Sequence, residues 1–306
     1  MSAIGTPTYD QLQLLLTVVD EGSFAAAARR LGRAVSAVSY GIANLEAQLG
    51  LTLFERAGTR RPVLTEDGKA ILAEARSIAR GMDGLRARAQ GLHEGLEAEI
   101  GVVVDVMLPP DRLGAALRAF NAQFPTVALR LHVEALGAVT AKVLEGEAVI
   151  GISGPLTART TGLDWIAAGE VALVPVAAPD HPLAMMSPAR TGAARDHIQL
   201  VLSDRSPLTA GQDFSVLSPR TWRLADLGAK HALLRQGIGW GNMPLPMVEA
   251  DLLAGTLVML SLPDWPAPNY GFFGIWRSDT PPGPAARWLL AQFAAPPGGS
   301  RPSHSS

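Results

Sequence analysis

Residues 35–40 combine short hydroxyl groups, an aliphatic side chain and an aromatic ring at the start of a predicted helix. The helix is predicted because aliphatic residues recur through 38–49 at helical spacing and would form its buried side. The outer side of its first turns carries Val35, Ser36, Ser39 and Tyr40. Such side chains can touch the edges of DNA bases, and free amides at a helix N-terminus can meet phosphate. This combination predicts a helix that reads the major groove.

Arginines that could contact the DNA backbone lie on both sides of this helix in the sequence. They are Arg29, Arg30, Arg33, Arg56, Arg60 and Arg61. The last three lie in residues 51–65, where two short apolar runs around a Gly-containing tip predict a β-hairpin wing. Arginines there can neutralise phosphates or enter a narrow minor groove. Taken alone, they are equally well explained as charges on a solvated hairpin.

Two earlier helical segments would hold the reading helix in place. The first has one apolar stripe, formed by Leu12, Leu15, Leu16 and Val19. The second is rich in alanine; Ser23 is expected to cap its start and to lie at the DNA surface, and Gly32 permits a sharp exit. Two short helices in a tight turn before a third predict a helix-turn-helix.

Residues 9–72 resemble the winged helix-turn-helix of LysR-type transcriptional regulators. The resemblance is carried by EGSFAAAA at 21–28, SAVS at 36–39, LE at 45–46, LG at 49–50, LFER at 53–56 and LTEDG at 64–68. It implies that the partner is a double-stranded DNA operator. This chain has Ala34 and Val35 where many relatives carry Ser or Thr followed by Gln, so the bidentate contact of Gln to adenine is absent. Val35 would either pack against a thymine methyl group or contribute to helix packing.

Residues 66–91 predict a long helix with an alanine and aliphatic stripe. Its members are Ile71, Leu72, Ala75, Ile78, Ala79, Met82, Leu85 and Ala89. LysR relatives pair this linker helix with that of a second subunit, so the resemblance implies a dimer, or a tetramer built from dimers. The alternative is that the stripe is buried against the rest of the same chain.

Beyond position 92, short apolar strands alternate with helical patterns, as is typical of parallel α/β units. Strands are predicted over 100–104, 127–133, 148–152, 172–178, 198–202 and 270–275, with helices over 110–124, 139–144, 230–236 and 284–293. The order resembles the LysR effector-binding domain, which is similar to periplasmic binding proteins. The matching phrases are FP at 124–125, LEG at 144–146, APDHPLA at 178–184 and LLAGTLV at 252–258.

The expected fold class is therefore multidomain, α and α/β. It comprises a winged helix-turn-helix over 1–65, a linker helix over 66–91 and a two-lobed effector-binding domain over 92–294. Lobe I would span about 97–167 and 267–294, and lobe II about 168–266. Residues 295–306, rich in Pro, Gly and Ser, are expected to be a disordered tail.

In open α/β lobes, ligands bind beyond the carboxyl ends of strands, which indicates a cleft formed by several loops. The candidate effector-binding residues are Asp105, Met107, Leu108, Pro109, Gly137, Ala138, Gly154, Ser203, Asp204, Asn242 and Met243. Each also has a structural explanation, because glycines make turns, Ser and Asp cap helices, and methionines fill cores.

Asp105 bears on the charge of the effector. Many relatives with acidic effectors place a hydroxyl group near this site, whereas an ionised carboxylate would repel such a ligand. This favours a neutral or cationic effector. The competing account is that Asp105 satisfies amides at the start of the following helix, which leaves the ligand charge undecided.

Composition limits the other classes of function. Residues 1–91 hold 11 Lys and Arg against 9 Asp and Glu, so the small positive charge lies in the head of a chain whose net charge is −2. The absence of cysteine excludes disulfides, thiol catalysis and Cys-ligated zinc, and the six histidines show no metal-ligand spacing. Neither an N-terminal signal sequence nor a membrane span is found, so a cytoplasmic location is expected.

The sequence thus predicts a non-enzymatic DNA-binding regulator with no cofactor and no metal, modulated by a small-molecule effector. Its other expected partners are a second copy of itself and RNA polymerase, with no membrane. One alternative is a small-molecule-binding protein or carrier, which the N-terminal head opposes. Another is an enzyme using the α/β cleft, but residues 151–154 lack the spacing of a nucleophile elbow and residues 237–241 that of a dinucleotide loop.

Overall fold

The computed structural model describes residues 5–55, 62–93, 95–156, 159–186, 188–203, 206–209, 214–265 and 269–294. The chain divides into two compact units, Met1–Gln90 and Gly91–Ser306. None of the helices in these described ranges is both long and apolar enough to cross a membrane. The predicted tail and the wing tip at 56–61 lie outside the described residues.

The N-terminal unit contains four helices whose ends follow from local chemistry. They are α1 (Tyr9–Glu21), α2 (Phe24–Leu31), α3 (Val35–Leu49) and α4 (Glu66–His93). Thr8 and Gln11 form a capping box at the start of α1, and Ser23 caps α2 by accepting a hydrogen bond from the Ala26 amide at 3.1 Å. Gly32 ends α2 with φ 62°, a left-handed conformation that favours glycine.

The first three helices bury one shared aliphatic core. Val38, Ile42 and Leu45 of α3 are buried, as the sequence predicted, while Leu49 is half-buried. In α1 the buried stripe is Leu12, Leu14, Leu15 and Val18, whereas the predicted Leu16 and Val19 lie at its margin. The helix is therefore rotated slightly from the prediction, because two other helices pack against it.

A hairpin base connects α3 to α4. Phe54 and Leu64 form an antiparallel bridge, and the Glu46 carboxylate of α3 accepts a hydrogen bond of 2.6 Å from the Leu53 amide. Thr65 accepts from the Gly68 amide at 2.9 Å. A Cβ atom at Gly68 would overlap the Leu53 carbonyl oxygen, so the first turn of α4 packs directly on the hairpin backbone.

Helix α4 divides into two parts by burial. Leu72 and Ala75 are buried in the core of the N-terminal unit, and Ile71 packs against it. Further along, Ile78 is 48% exposed and Leu85 is 61% exposed. The predicted stripe therefore has a covered start and an uncovered continuation in the single chain.

The C-terminal unit alternates strands and helices. The strands are β1 (Glu99–Asp105), β2 (Ala128–Glu134), β3 (Ile150–Ser153), β4 (Leu163–Ala177), β5 (Gln199–Leu202), β6 (Thr221–Leu224), β7 (Trp240–Pro244), β8 (Val258–Met259) and β9 (Asn269–Arg277). The helices are α5 (Pro110–Gln123), α6 (Gly137–Leu144), α7 (Pro182–Met185), α8 (Leu227–Arg235), α9 (Leu245–Ala254) and α10 (Pro284–Ala294).

The strands follow the order β2-β1-β3-β9-β4-β7-β5-β6, with β8 beside β4. Parallel pairing joins β1 to β2 and to β3 on one side, and β5 to β6 on the other. The long antiparallel strands β4 and β9 connect the two sides. Their register shifts between Ala167 and Glu170, where Gly169 has φ 81°. This irregularity allows one strand to serve both lobes.

The sequence prediction for β4 was too short and that for α9 was missing. Strand β4 begins at Leu163 rather than at 172, because it continues through the bulge at Gly169 and Glu170, which interrupt the apolar pattern. Helix α9 follows directly from β7 through Pro244, with Pro246 in its first turn. Prolines are compatible with the first turn of a helix.

Candidate nucleic-acid interface and ligand cavity

The outer side of α3 is exposed where the sequence predicted base contacts. Val35 is 47% exposed and Tyr40 is 69% exposed, and Ser36 and Ser39 are also exposed. The N-cap residue Ala34 provides no side-chain hydrogen bond, in contrast to Thr8 and Ser23 at the starts of α1 and α2. The first amides of α3 are therefore without a side-chain cap and suit a phosphate group.

The predicted arginines differ in their partners. Arg30 pairs with Glu21 at 2.8 Å, and Arg33 pairs with Asp10 through two hydrogen bonds of 2.7 Å. This bidentate contact lowers the pKa of the Asp10 carboxyl group. Arg29 is exposed and makes no ion pair with any described residue. Arg56, Arg60 and Arg61 lie outside the described residues, so the wing arginines stay a prediction.

Ser23 is half-buried and holds the start of α2 through its side-chain oxygen. Its hydroxyl group is thus engaged in capping, and the oxygen is less available to DNA than the oxygens of Ser36 and Ser39. The helix-turn-helix presents the three predicted residues of α3's first turns together with Tyr40 on one surface, which we call the α3 surface (Val35, Ser36, Ser39 and Tyr40).

The C-terminal unit contains a cavity of about 200 Å³ beside the crossing strands β4 and β9. Its walls are mostly apolar, with polar groups at a few positions. The lining residues on which the site depends are Met107, Leu136, Gln199, Lys230, Asn242 and Tyr270. They come from elements on both sides of β4 and β9 in the strand order, so these two connecting strands bring them together. A mostly apolar cavity with few convergent polar groups is suited to a small molecule.

The predicted effector-binding residues do not all meet in this cavity. Met107 and Asn242 line it. A separate depression is lined instead by Asp105, Leu108 and Met243.

Other candidates lie at the starts of helices or form backbone hydrogen bonds. Pro109 is the N-cap residue of α5, and Gly137 and Ala138 form the first turn of α6. Ser203 is half-buried, and its amide donates a hydrogen bond to the Leu224 carbonyl at 2.8 Å. Asp204 lies outside the described residues.

Asp105 is completely buried and is engaged by protein groups. Its Oδ1 accepts a hydrogen bond from the Met107 amide, and its Oδ2 accepts one from the Tyr270 hydroxyl, both at 2.8 Å. Burial, together with the neighbouring carboxylate, raises the pKa of Tyr270 well above its ordinary value, so the phenol remains a donor. Gly154 is required beside them, because a Cβ atom there would overlap the Tyr270 hydroxyl. Both carboxylate oxygens of Asp105 are thus engaged by protein donors, but the amide is that of Met107, ahead of α5, and the other donor is a phenol.

Lys230 was not predicted from the sequence and is the most unusual group in the cavity wall. It is only 3% exposed, and its Nζ donates a hydrogen bond of 2.8 Å to the Asn242 carbonyl oxygen. Burial lowers the pKa of Lys230 to about 7. No acidic side chain in the described ranges pairs with it. Lysines in helices are usually exposed, but Lys230 stands at helical spacing between the buried Leu227 and Leu234, and this spacing is the signal that could have identified it.

Backbone strain also marks the cavity. Leu136 and Ser215 have φ values of 49° and 59°, and they are the two non-glycine residues with positive φ among those the structure describes. Both line the cavity. Unusual backbone conformations of this kind persist where the surrounding structure enforces them, and they cluster at ligand sites.

Comparisons with known proteins agree on one family. The LysR substrate binding domain matches residues 93–295, and the bacterial regulatory helix-turn-helix of the lysR family matches residues 9–69. The chain is 27% identical over 291 residues to the HTH-type transcriptional regulator AceR of Acinetobacter baumannii, covering 92% of this chain and 94% of that protein. It is 29% identical over 286 residues to PunR of Escherichia coli, covering 91% and 90%.

Solved structures share the fold. Full-length OxyR from Pseudomonas aeruginosa is 19% identical, with a TM-score of 0.51 and coverage of 94% of this chain and 99% of that chain. Full-length LysG from Corynebacterium glutamicum, with its effector arginine bound, is 21% identical, with a TM-score of 0.51 and coverage of 94% and 96%. The helix-turn-helix, the crossed α/β unit and the two family matches lead to one conclusion: this chain belongs to the LysR family of DNA-binding transcriptional regulators.

Proposed function

We propose that this regulator reads its operator through the α3 surface and changes its transcriptional output when a small molecule fills the cavity beside β4 and β9. The observation that supports the DNA contact best is the exposure of Val35, Ser36, Ser39 and Tyr40 at the uncapped start of α3. A recognition helix enters the major groove with its N-terminal residues first. Arg29 and the wing arginines would contact the phosphates, and Arg30 and Arg33 would do so beside their acidic partners.

The proposed dimer forms through the exposed part of α4. Ile78, Met82, Leu85, Ala89 and Leu92 follow a spacing of four and three residues, which is the heptad pattern of a coiled-coil seam. Three of them are large hydrophobic residues that are exposed in the single chain. A second copy of α4 would cover this seam and present two heads to half-sites about one helical turn apart. RNA polymerase is the proposed further partner, and the proposed location is the cytoplasm.

Selection from a random double-stranded oligonucleotide library tests the DNA contact. The full chain should enrich a motif with paired half-sites, and Tyr40→Ala with Ser36→Ala should weaken binding to that motif roughly tenfold or more. Ala47→Ser is the matched control, because Ala47 is exposed near the other end of α3. Equal loss in the control, or no enriched motif from the wild type, would contradict the proposed reading surface.

A further inference from the structure

Lys230 has unused hydrogen-bonding capacity toward the cavity. An ammonium group has three donors, and the Asn242 carbonyl oxygen at 2.8 Å takes one of them. The side chain lines the cavity and is 97% buried, and it has no carboxylate partner among the described residues. Charged groups this deeply buried are normally paired. A ligand in the cavity is the group that could complete the pair.

Asn242 supplies a second unsatisfied group in the same wall. Asn242 is 7% exposed, and its side-chain Oδ1 has no hydrogen-bond partner in the part of the chain that the structure describes. The backbone carbonyl of Asn242 holds Lys230, and both residues line the cavity. A buried amide oxygen without a donor costs free energy, so a ligand N–H or O–H beside it would be stabilising.

Other polar groups in the wall are already engaged by protein atoms. The side chain of Gln199 donates to the Ser215 carbonyl and accepts from the amides of Leu217 and Ser218. The Tyr270 hydroxyl donates to Asp105. These groups have little capacity for a new partner, whereas the apolar side chains around them suit a hydrocarbon skeleton.

We infer that the effector is a compact organic anion, specifically a small carboxylate, whose charged group binds Lys230 and whose N–H or O–H group donates to Oδ1 of Asn242; this inference rests on the proposed effector site. A carboxylate would replace the water that the ammonium lost on folding, and the low local dielectric would strengthen the attraction. The cavity of about 200 Å³ is smaller than most drug-sized pockets, which begin at about 300 Å³, so the ligand is compact.

Matched trios of small molecules test the charge. The full chain is titrated with benzoate, benzamide and benzylamine, and with hexanoate, hexanamide and hexylamine, by calorimetry and by thermal unfolding. In the wild type, each carboxylate is expected to bind roughly tenfold or more tightly than its amide and amine partners. Lys230→Met should remove this preference. Lys142→Met is the matched control, because Lys142 pairs with Glu147 on the surface and does not line the cavity.

Asn242→Asp provides a second variant, which places a carboxylate in the wall of the cavity that Lys230 also lines. It should also abolish the preference for carboxylates, even if Lys230→Met does not fold. Carboxylates that bind no better than amides in the wild type, or equally well to Lys230→Met, would overturn the inference. It is also overturned if no carboxylate binds the wild type at millimolar concentration.

A cavity-filling variant separates this inference from the proposed function. Leu202 lines the cavity, and Leu202→Trp should block every ligand of the panel while operator binding stays intact. Carboxylates that still bind Leu202→Trp would overturn the cavity as the effector site, and the charge inference with it. A different result would overturn only the inferred charge and would still support the cavity as the effector site. In that result, amides bind the wild type but not Leu202→Trp, and carboxylates bind the wild type weakly.

Discussion

The α3 surface and the cavity differ in exposure and in how far apart their residues lie in the sequence. The residues of the α3 surface are exposed and lie within six positions of the chain, with aliphatic side chains behind them in the core. The cavity gathers groups from Met107 to Tyr270, and four of its polar residues are almost completely buried: Gln199, Lys230, Asn242 and Tyr270. A surface for DNA can therefore be recognised from local spacing in the sequence. A site for a small molecule depends on contacts between strands that are far apart in the chain.

Substitution of two glycines in α4 tests how far the stability of the N-terminal unit depends on close packing. Gly68→Ala places a Cβ atom on the Leu53 carbonyl oxygen, and the expected loss in unfolding free energy of the head is about 3 kcal/mol. Gly81→Ala in the same helix meets no atom within 4 Å and should stabilise the helix by about 0.5–1 kcal/mol. Urea denaturation of the full chain, monitored with a fluorescent probe attached within residues 1–90, measures both changes in unfolding free energy.

DNA affinity should fall with Gly68→Ala, and ligand binding in the C-terminal unit should remain. An equally large loss of stability with Gly81→Ala would show that helix propensity, rather than contact with the hairpin, makes the head sensitive. That result would weaken the contrast between a locally specified surface and a cavity that depends on distant contacts.

Lys230 tests the cavity through the pH dependence of stability. Burial lowers the pKa of the folded-state lysine from 10.5 to about 7, so between these pH values the unfolded chain holds a proton that the folded protein lacks. Stability therefore rises with pH across this window, and the destabilisation is complete below pH 7. Lys230→Met should raise the unfolding free energy by on the order of 2 kcal/mol at pH 6, with the difference disappearing toward pH 10.5.

Chemical denaturation of the C-terminal unit at several pH values measures this difference. Lys142→Met should leave the pH dependence between 7 and 10 almost unchanged. A difference between Lys230→Met and the wild type that is constant with pH would mean that packing, rather than charge, separates the two proteins.

Tyr270→Phe tests the contact beneath the cavity. It leaves Oδ2 of the buried Asp105 without its phenolic donor, and the expected cost is about 1–3 kcal/mol. Tyr9→Phe is the control, because the Tyr9 hydroxyl makes no hydrogen bond to a described residue and its loss should change stability by less than about 0.5 kcal/mol. Thermal unfolding of both variants decides the matter, and equal effects would contradict the role of the Asp105–Tyr270 contact.

Ser23 and Ser36 separate capping from DNA contact within the head. Ser23→Ala removes the cap of α2 and should cost about 1 kcal/mol of stability. Ser36→Ala changes an exposed side chain and should alter stability by less than about 0.5 kcal/mol while it weakens operator binding. Unfolding and operator titrations are compared for both; a larger stability loss with Ser36→Ala would reverse the assignment.

Much of the head could be predicted because its information is local. Ser23 caps α2, Gly32 ends it, and Val38, Ile42 and Leu45 form the buried side of α3, all as the sequence patterns predicted. Helical spacing and caps act over three or four residues, so they are visible in the printed sequence. The rotation of α1 was not predicted, since it depends on the packing of α2 and α3.

The cavity was predicted less well, because its contacts join distant residues. Met107 was identified from its place after a strand end, and it lines the cavity. Asn242 also lines the cavity, but it was expected in a loop and lies inside β7. Tyr270 was assigned only to a strand, although its hydroxyl meets Asp105 across 165 positions of the chain. Lys230 was assigned to a helix without a role; its spacing with Leu227 and Leu234 indicates the buried side of α8, but its contact with the Asn242 carbonyl depends on the packing of α8 against β7.

The family, the helix-turn-helix and the exposed residues of α3 follow from the residues alone, because short-range periodicity and capping chemistry specify a small helical head. Which groups face the cavity depends on long-range packing. Strand crossing placed Asp105 against Tyr270 and left Lys230 beside Asn242 without a protein counter-ion in the described residues. The physical reason is that burial sets the free energy of a charge, and burial is a property of the packed chain.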